Sequence, residues 1–118
     1  MNQSFGQLIL EARKSKGYSQ RHLAELVHLS FTYLSKLEND RADTPPSEET
    51  IRSLARNLDL DEEELIFLAG RIPRSDEELL KQNYKAMPGL FRRLRHDPEF
   101  AQEVLRAAIQ AESEDDQS

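Results

Sequence analysis

Residues 20–39 read Gln-Arg-His-Leu-Ala-Glu-Leu-Val-His-Leu-Ser-Phe-Thr-Tyr-Leu-Ser-Lys-Leu-Glu-Asn, and this stretch decides the fold. Ser19 precedes a short apolar-periodic run with Leu23, Ala24, Leu26 and Val27. A break of about three residues follows at His28-Leu29-Ser30. Ser30 then stands before a second run with Tyr33, Leu34 and Leu37. Serine before an apolar-periodic run is a helix N-terminus signal, because its hydroxyl can accept an orphan backbone N–H. Two short helices with so brief a turn cross at a steep angle, as in a helix-turn-helix. A steep crossing needs a small side chain where the axes approach, and Ala24 supplies one. Val27, Leu34 and Leu37 are expected to close the core beneath the turn. The second helix then presents its N-terminal residues outward, with a width that fits the major groove of B-DNA.

The flanking sequence is also helical. Phe5, Leu8, Ile9 and Ala12 lie on one helix face, with Ser4 as cap and Gly17 as stop. Ser47 opens a fourth helix with the apolar stripe Ile51, Leu54, Ala55 and Leu58. Glu48 and Glu49 suit the positive end of its dipole. Asp61 opens a fifth, with Leu65, Ile66, Leu68 and Ala69 on its apolar side and Gly70 at its end. Pro73 interrupts helix, which sets the expected domain boundary at 72/73. A sixth helix is expected over about residues 76–86. Met87-Pro88-Gly89 reads as a break and residues 90–95 as a short helix. Asp97-Pro98 opens the last one, with Asp97 as cap. No segment alternates apolar and polar residues long enough to form a strand. The fold class is therefore all-α. The expected organisation is a five-helix DNA-binding bundle over 1–72, a C-terminal helical segment over 73–111, and an acidic disordered tail over 112–118.

Residues 5–70 resemble the XRE family, the helix-turn-helix regulators of the phage Cro and lambda-repressor type. The resemblance is carried by Gln20-x-x-Leu23-Ala24, Ser30-x-x-Tyr33-Leu34-Ser35-Lys36-Leu37-Glu38-Asn39, Pro46-Ser47-x-x-Thr50-Ile51 and Leu54-Ala55, together with the five-helix order. It implies a compact bundle that binds double-stranded DNA in a sequence-specific way as a homodimer. By the same resemblance Ser30, Phe31, Thr32 and Lys36 are the base-contacting positions. Each has suitable chemistry: Lys36 can donate to guanine O6 and N7, Phe31 and the Thr32 methyl can touch thymine methyls, and the hydroxyls can serve bases or phosphates. Gln20 matches a phosphate-contacting position, and Ser19, Asn39 and Arg41 are its expected neighbours along the DNA backbone; Arg21 reads either as a further phosphate contact or as a solvated charge, and Tyr33 either as a phosphate contact or as a packed ring. Arg13 and Glu38 match a salt bridge between the first and third helices. His28 departs from the pattern, standing at a left-handed position where Gly is common.

Charge and composition bound the alternatives. The chain has 118 residues and a net charge of −6, which as a bulk number argues against nucleic acid. The charges are segregated, however. Residues 1–44 hold six Lys/Arg against five Asp/Glu, whereas 45–72 hold three against seven and 73–118 seven against ten. The acidity thus lies away from the expected DNA-facing helices. With no Cys there is no disulfide scaffold, thiolate metal site or Cys nucleophile. His22, His28 and His96 form no ligand-spacing signature, so no metal or cofactor is expected. No nucleophile elbow or phosphate-cradling Gly loop is present, and no enzymatic activity is expected. No apolar run approaches the roughly 20 residues of a membrane span, and the expected location is the cytoplasm.

Beyond Gly70 the pattern alone speaks. Short amphipathic helices cannot bury their stripes unaided. Phe91, Leu94, Phe100, Val104, Leu105 and Ile109 are the expected contact set, with dimerisation favoured over packing within the chain. The expected function is a transcriptional repressor on an operator with approximate two-fold symmetry. The alternative is an antitoxin or adaptor whose C-terminal helices dock a protein partner.

Overall fold

The computed structural model describes residues 3–117, and side-chain surroundings from 3 to 112. The helices are α1 (Phe5–Ser15), α2 (Gln20–Leu26), α3 (Phe31–Glu38), α4 (Glu48–Leu58), α5 (Glu62–Leu68), α6 (Glu77–Gln82), α7 (Met87–His96) and α8 (Pro98–Gln117), with a 3-10 turn over Arg74–Asp76. No strand occurs among the described residues. The chain divides into two compact units, residues 1–76 and 77–118.

In the first unit every helix start is built locally. The side chains of Ser4, Ser19, Ser30, Ser47 and Asp61 each accept the backbone N–H three residues on. Such a cap contributes about 1 kcal/mol, and five of them delimit the bundle. Helix ends are equally local. Gly17 and Gly70 take φ of 74° and 80° after α1 and α5. α2 and α3 end by one shared device. The N–H of Leu29 bonds to the Ala24 carbonyl at 2.9 Å, and that of Arg41 to the Lys36 carbonyl at 2.8 Å. The residue that reverses the chain in each case is not glycine: His28 has φ 57° and Asp40 φ 55°. His28 thus adopts the left-handed backbone that its place in the pattern requires.

The apolar stripes meet in one core. Ile9 of α1, Leu23, Ala24 and Val27 of the α2 region, Leu34 of α3, Ile51, Leu54, Ala55 and Leu58 of α4, and Leu65 and Ile66 of α5 are buried together. Each large side chain among them is worth about 1.5–3 kcal/mol of burial. Ala24 is 3% exposed, as the close approach of α2 and α3 demands. α4 packs on α5, and α1 packs on α3 and α4.

The boundary falls at 76/77 rather than 72/73. Pro73 is read from sequence as a breaker, yet its ring is fully buried in the first unit. The Arg74 N–H donates to Glu48 Oε1 at 2.7 Å, and Arg74 also pairs with Glu49. The Arg74 N–H holds the Glu48 carboxyl below the usual carboxylate range, assisted by Arg52 against a smaller opposing effect of burial. A depressed carboxyl contributes stability above the ordinary carboxylate pKa and loses it as pH falls through the lowered value. The melting temperature of the wild-type chain should therefore fall more between pH 6 and pH 3 than that of Glu48→Gln. Equal slopes for the two would remove Glu48 from the acid response.

The second unit departs further from expectation. Met87-Pro88-Gly89 is not a break but the first turn of α7. Proline is tolerated there because first-turn N–H groups have no helical partner in any case. α6 is correspondingly short and ends at Gln82. α8 opens as expected, with Asp97 accepting the Phe100 N–H at 3.1 Å. It then continues to Gln117, across residues expected to form a disordered tail. Nothing after Pro98 breaks a helix, since the remaining sequence has neither Gly nor Pro. Ser118, the last residue of that expected tail, lies outside the described residues. α7 packs against α8, and Arg93 stacks 3.8 Å over the Phe100 ring. No side chain from 77 to 112 is buried.

Candidate nucleic-acid interface

The three outward residues of α3 are Phe31, Thr32 and Lys36, all exposed. They lie at one end and one face of an eight-residue helix whose other face carries Leu34 and Leu37 into the interior. Phe31 is 45% exposed although it is aromatic, so much of its ring faces outward and away from the core. Lys36 enters no ion pair or side-chain hydrogen bond among the described residues, and neither do Arg21 and Arg41. Most cations elsewhere in this unit are bound to acids, with Lys14 and Arg71 the exceptions among the described residues. Lys16 pairs with Asp59, Arg52 with Glu48 and Glu62, Arg56 with Glu62, and Arg74 with Glu49. Three of the five cations without an acidic partner, Arg21, Lys36 and Arg41, thereby lie on α2, on α3 or just after α3. Their donors are available to base edges and phosphates.

The remaining expected contacts are partly committed within the chain. Ser19 and Ser30 accept the N–H groups of His22 and Tyr33 as caps, which leaves each hydroxyl proton free. Gln20 Nε2 donates to Glu38 Oε1 at 2.8 Å. Asn39 Nδ2 donates to the Ser35 carbonyl at 2.8 Å. The Tyr33 hydroxyl donates to the Thr44 carbonyl at 2.9 Å and so ties α3 to the loop that follows it. Burial pushes the Tyr33 phenol up, opposed by the nearby Arg71 charge, so it stays neutral. These groups hold α3 in place, and their free donors are fewer than the sequence suggests.

Beneath α3 lies a buried ion pair. Arg13 Nε and Nη2 meet Glu38 Oε2 and Oε1 at 2.7 and 3.0 Å. Arg13 Nη1 also donates to the Tyr18 carbonyl at 2.9 Å. Arg13 is 8% exposed and Glu38 4%. With Gln20, this network fastens the end of α3 to α1 and to the start of α2. A second clasp was not legible in the sequence. The Asp40 carboxylate accepts the Gly6 N–H at 3.0 Å and the Ser4 hydroxyl at 2.7 Å, joining the end of α3 to the first turn of α1.

The expected contact set of the second unit is largely uncovered. Phe91, Val104, Leu105 and Ile109 are exposed, Ile109 by 71%, while Leu94 and Phe100 are half-buried. Among the described residues no group of His, Cys, Asp and Glu could hold a metal ion, and no helix is long and apolar enough to cross a membrane.

A family described as a helix-turn-helix domain matches residues 6–71, more than half of the chain. The chain belongs to this family, and is a DNA-binding transcriptional regulator of the XRE type. Two solved structures are similar to it. One is SinR, described as the master regulator for biofilm formation, in complex with DNA. It is 34% identical, with 52% of this chain and 97% of that chain covered and a TM-score of 0.47. The other is a complex of SinR protein and SinI protein, 26% identical, with 92% and 98% covered and a TM-score of 0.49. No curated protein matches the sequence.

Proposed function

We propose that the protein is a cytoplasmic repressor that binds, as a homodimer, an operator of approximate two-fold symmetry. The observation that carries this reading is the exposed set Phe31, Thr32 and Lys36 on one face of α3, flanked by the unpaired cations Arg21 and Arg41. Laid in a major groove, Lys36 reaches guanine O6 and N7 and Phe31 and Thr32 reach thymine methyls. Arg41 and the hydroxyls of Ser19 and Ser30 meet phosphates, which orient the domain without reading sequence. A single small module binds weakly. A second copy held on the same duplex raises affinity by effective concentration. The exposed apolar side chains of α7 and α8 provide a surface for that pairing, and two-fold symmetry then spaces the half-sites by one DNA turn, about 34 Å. Occupancy across a promoter would exclude polymerase. The same uncovered side chains favour a second reading, an adaptor or antitoxin whose helices α6–α8 bind a different protein. Sedimentation of the purified full chain separates the two. A dimer of this chain alone supports the first reading, and a monomer that purifies with a stoichiometric partner supports the second.

Lys36→Ala should lower affinity for the cognate duplex by about 1–3 kcal/mol and leave affinity for random DNA nearly unchanged. Equal losses on both, measured by fluorescence anisotropy at one salt concentration, would make Lys36 a phosphate contact instead.

A further inference from the structure

By its charge Arg21 is expected among the phosphate contacts, but its surroundings suit another task. Its guanidinium carbon stands 5.4 Å from the centroid of the Phe31 ring. The two residues, with Ala24, Glu25 and Leu29, line one open hollow between α2 and the start of α3. A guanidinium lying against a ring spends its face there and keeps its in-plane N–H groups for other partners. Among the described residues none of those N–H groups is taken. Glu25 lines the same hollow, and an acidic side chain there disfavours a phosphate as the partner of Arg21. A base edge carries no net charge and meets less opposition, and a carboxylate is itself an acceptor for the cytosine N4 amino group. Neighbouring base pairs are stacked about 3.4 Å apart, so two groups separated by the Arg21–Phe31 distance can address adjacent steps.

We propose that Arg21 and Phe31 form one base-reading unit, in which Phe31 takes the 5-methyl group of a pyrimidine and Arg21 the O6 and N7 of an adjacent guanine. The inference rests on the DNA-binding reading above and deepens it, because it gives α2 a part in sequence recognition. Phe31 has no polar atom with which to tell the thymine O4 acceptor from the cytosine N4 donor. It therefore reads the methyl alone, and 5-methylcytosine serves it as well as thymine does. The cation–π contact with Arg21 keeps the exposed ring in the groove-facing position, and removal of either side chain weakens the contribution of the other.

The test uses the full chain and a duplex enriched from a random library. Each thymine of the half-site is replaced in turn by uracil, which deletes only the methyl group. At one position the wild-type protein should bind about fourfold more weakly per half-site, the factor that one buried methyl group carries. Phe31→Ala should bind the thymine and uracil duplexes equally. At the same position a 5-methylcytosine–guanine pair should bind about fourfold better than an unmethylated cytosine–guanine pair. Arg21→Ala should lose preference at the neighbouring guanine. Both side chains are exposed, so neither variant removes core. Three results would overturn the proposal: no uracil penalty at any thymine, a penalty that persists in Phe31→Ala, or an Arg21→Ala loss that is equal on cognate and random duplexes. Failure to enrich any duplex would instead overturn the DNA-binding reading beneath it.

Discussion

Glu38→Ala should destabilise the first unit by about 3–5 kcal/mol, because it leaves the Arg13 guanidinium buried without its counter-charge. The loss is large because Glu38 satisfies three donors at once. Arg13 Nε, Arg13 Nη2 and Gln20 Nε2 all terminate on its carboxylate. In water these groups would be hydrated, but at 8% exposure Arg13 has little access to solvent. A small domain has only some 5–15 kcal/mol of stability in total, so much of the margin would go. At about 4–8 °C per kcal/mol, the melting temperature should drop by at least about 12 °C. Replacing both members together, Arg13→Met with Glu38→Leu, should cost much less than Glu38→Ala alone, since no unpaired charge remains. Thermal unfolding followed by circular dichroism checks both. A Glu38→Ala chain that melts within a few degrees of wild type would show that the pair contributes nothing net.

Gly6→Ala is the second large effect. A Cβ at this position would lie 2.4 Å from the Leu37 carbonyl oxygen and 2.6 Å from Asp40 Oδ1. The first of these is backbone and cannot rotate away, so α1 and the end of α3 must separate. Overpacking of this kind costs about 1–3 kcal/mol. Separation also breaks the Gly6 N–H bond to Asp40, worth about a further 1 kcal/mol. Alanine gains up to about 1 kcal/mol over glycine in a helix, which offsets part of this. The net expectation is a loss of about 1–3 kcal/mol. Because Leu37 and Asp40 close α3, DNA affinity should fall as well. Unchanged stability in chemical denaturation would mean that the two helices are not held at this distance.

The two effects differ in how far the sequence announced them. The Arg13–Glu38 pair was expected through family resemblance, since nothing in the spacing of two residues 25 apart brings them together. The Gly6–Asp40 clasp carries no such pattern. A glycine one residue into a helix reads as a poor helix former until the neighbour that requires it is known. Features settled within four residues were legible: the caps at Ser4, Ser19, Ser30, Ser47, Asp61 and Asp97, the stops at Gly17 and Gly70, and the stripes that form the core. Features settled by distant packing were not. Pro73 reads the same whether it ends a domain or is buried in one, and Pro88 the same whether it breaks a helix or begins one. At the candidate interface, the family resemblance pointed to Phe31, Thr32 and Lys36, and these are the exposed residues of α3. It did not show that Gln20, Tyr33 and Asn39 already have partners within the chain, nor that Arg21 rests on Phe31.

The central claim is that the face of α3 reads duplex DNA in a two-fold arrangement. Affinity selection from a random duplex library with the purified full chain, at near-physiological salt, tests it most directly. The account predicts an enriched inverted repeat with half-site centres one helical turn, about 10 base pairs, apart. A folded, helical protein that enriches no sequence would contradict it.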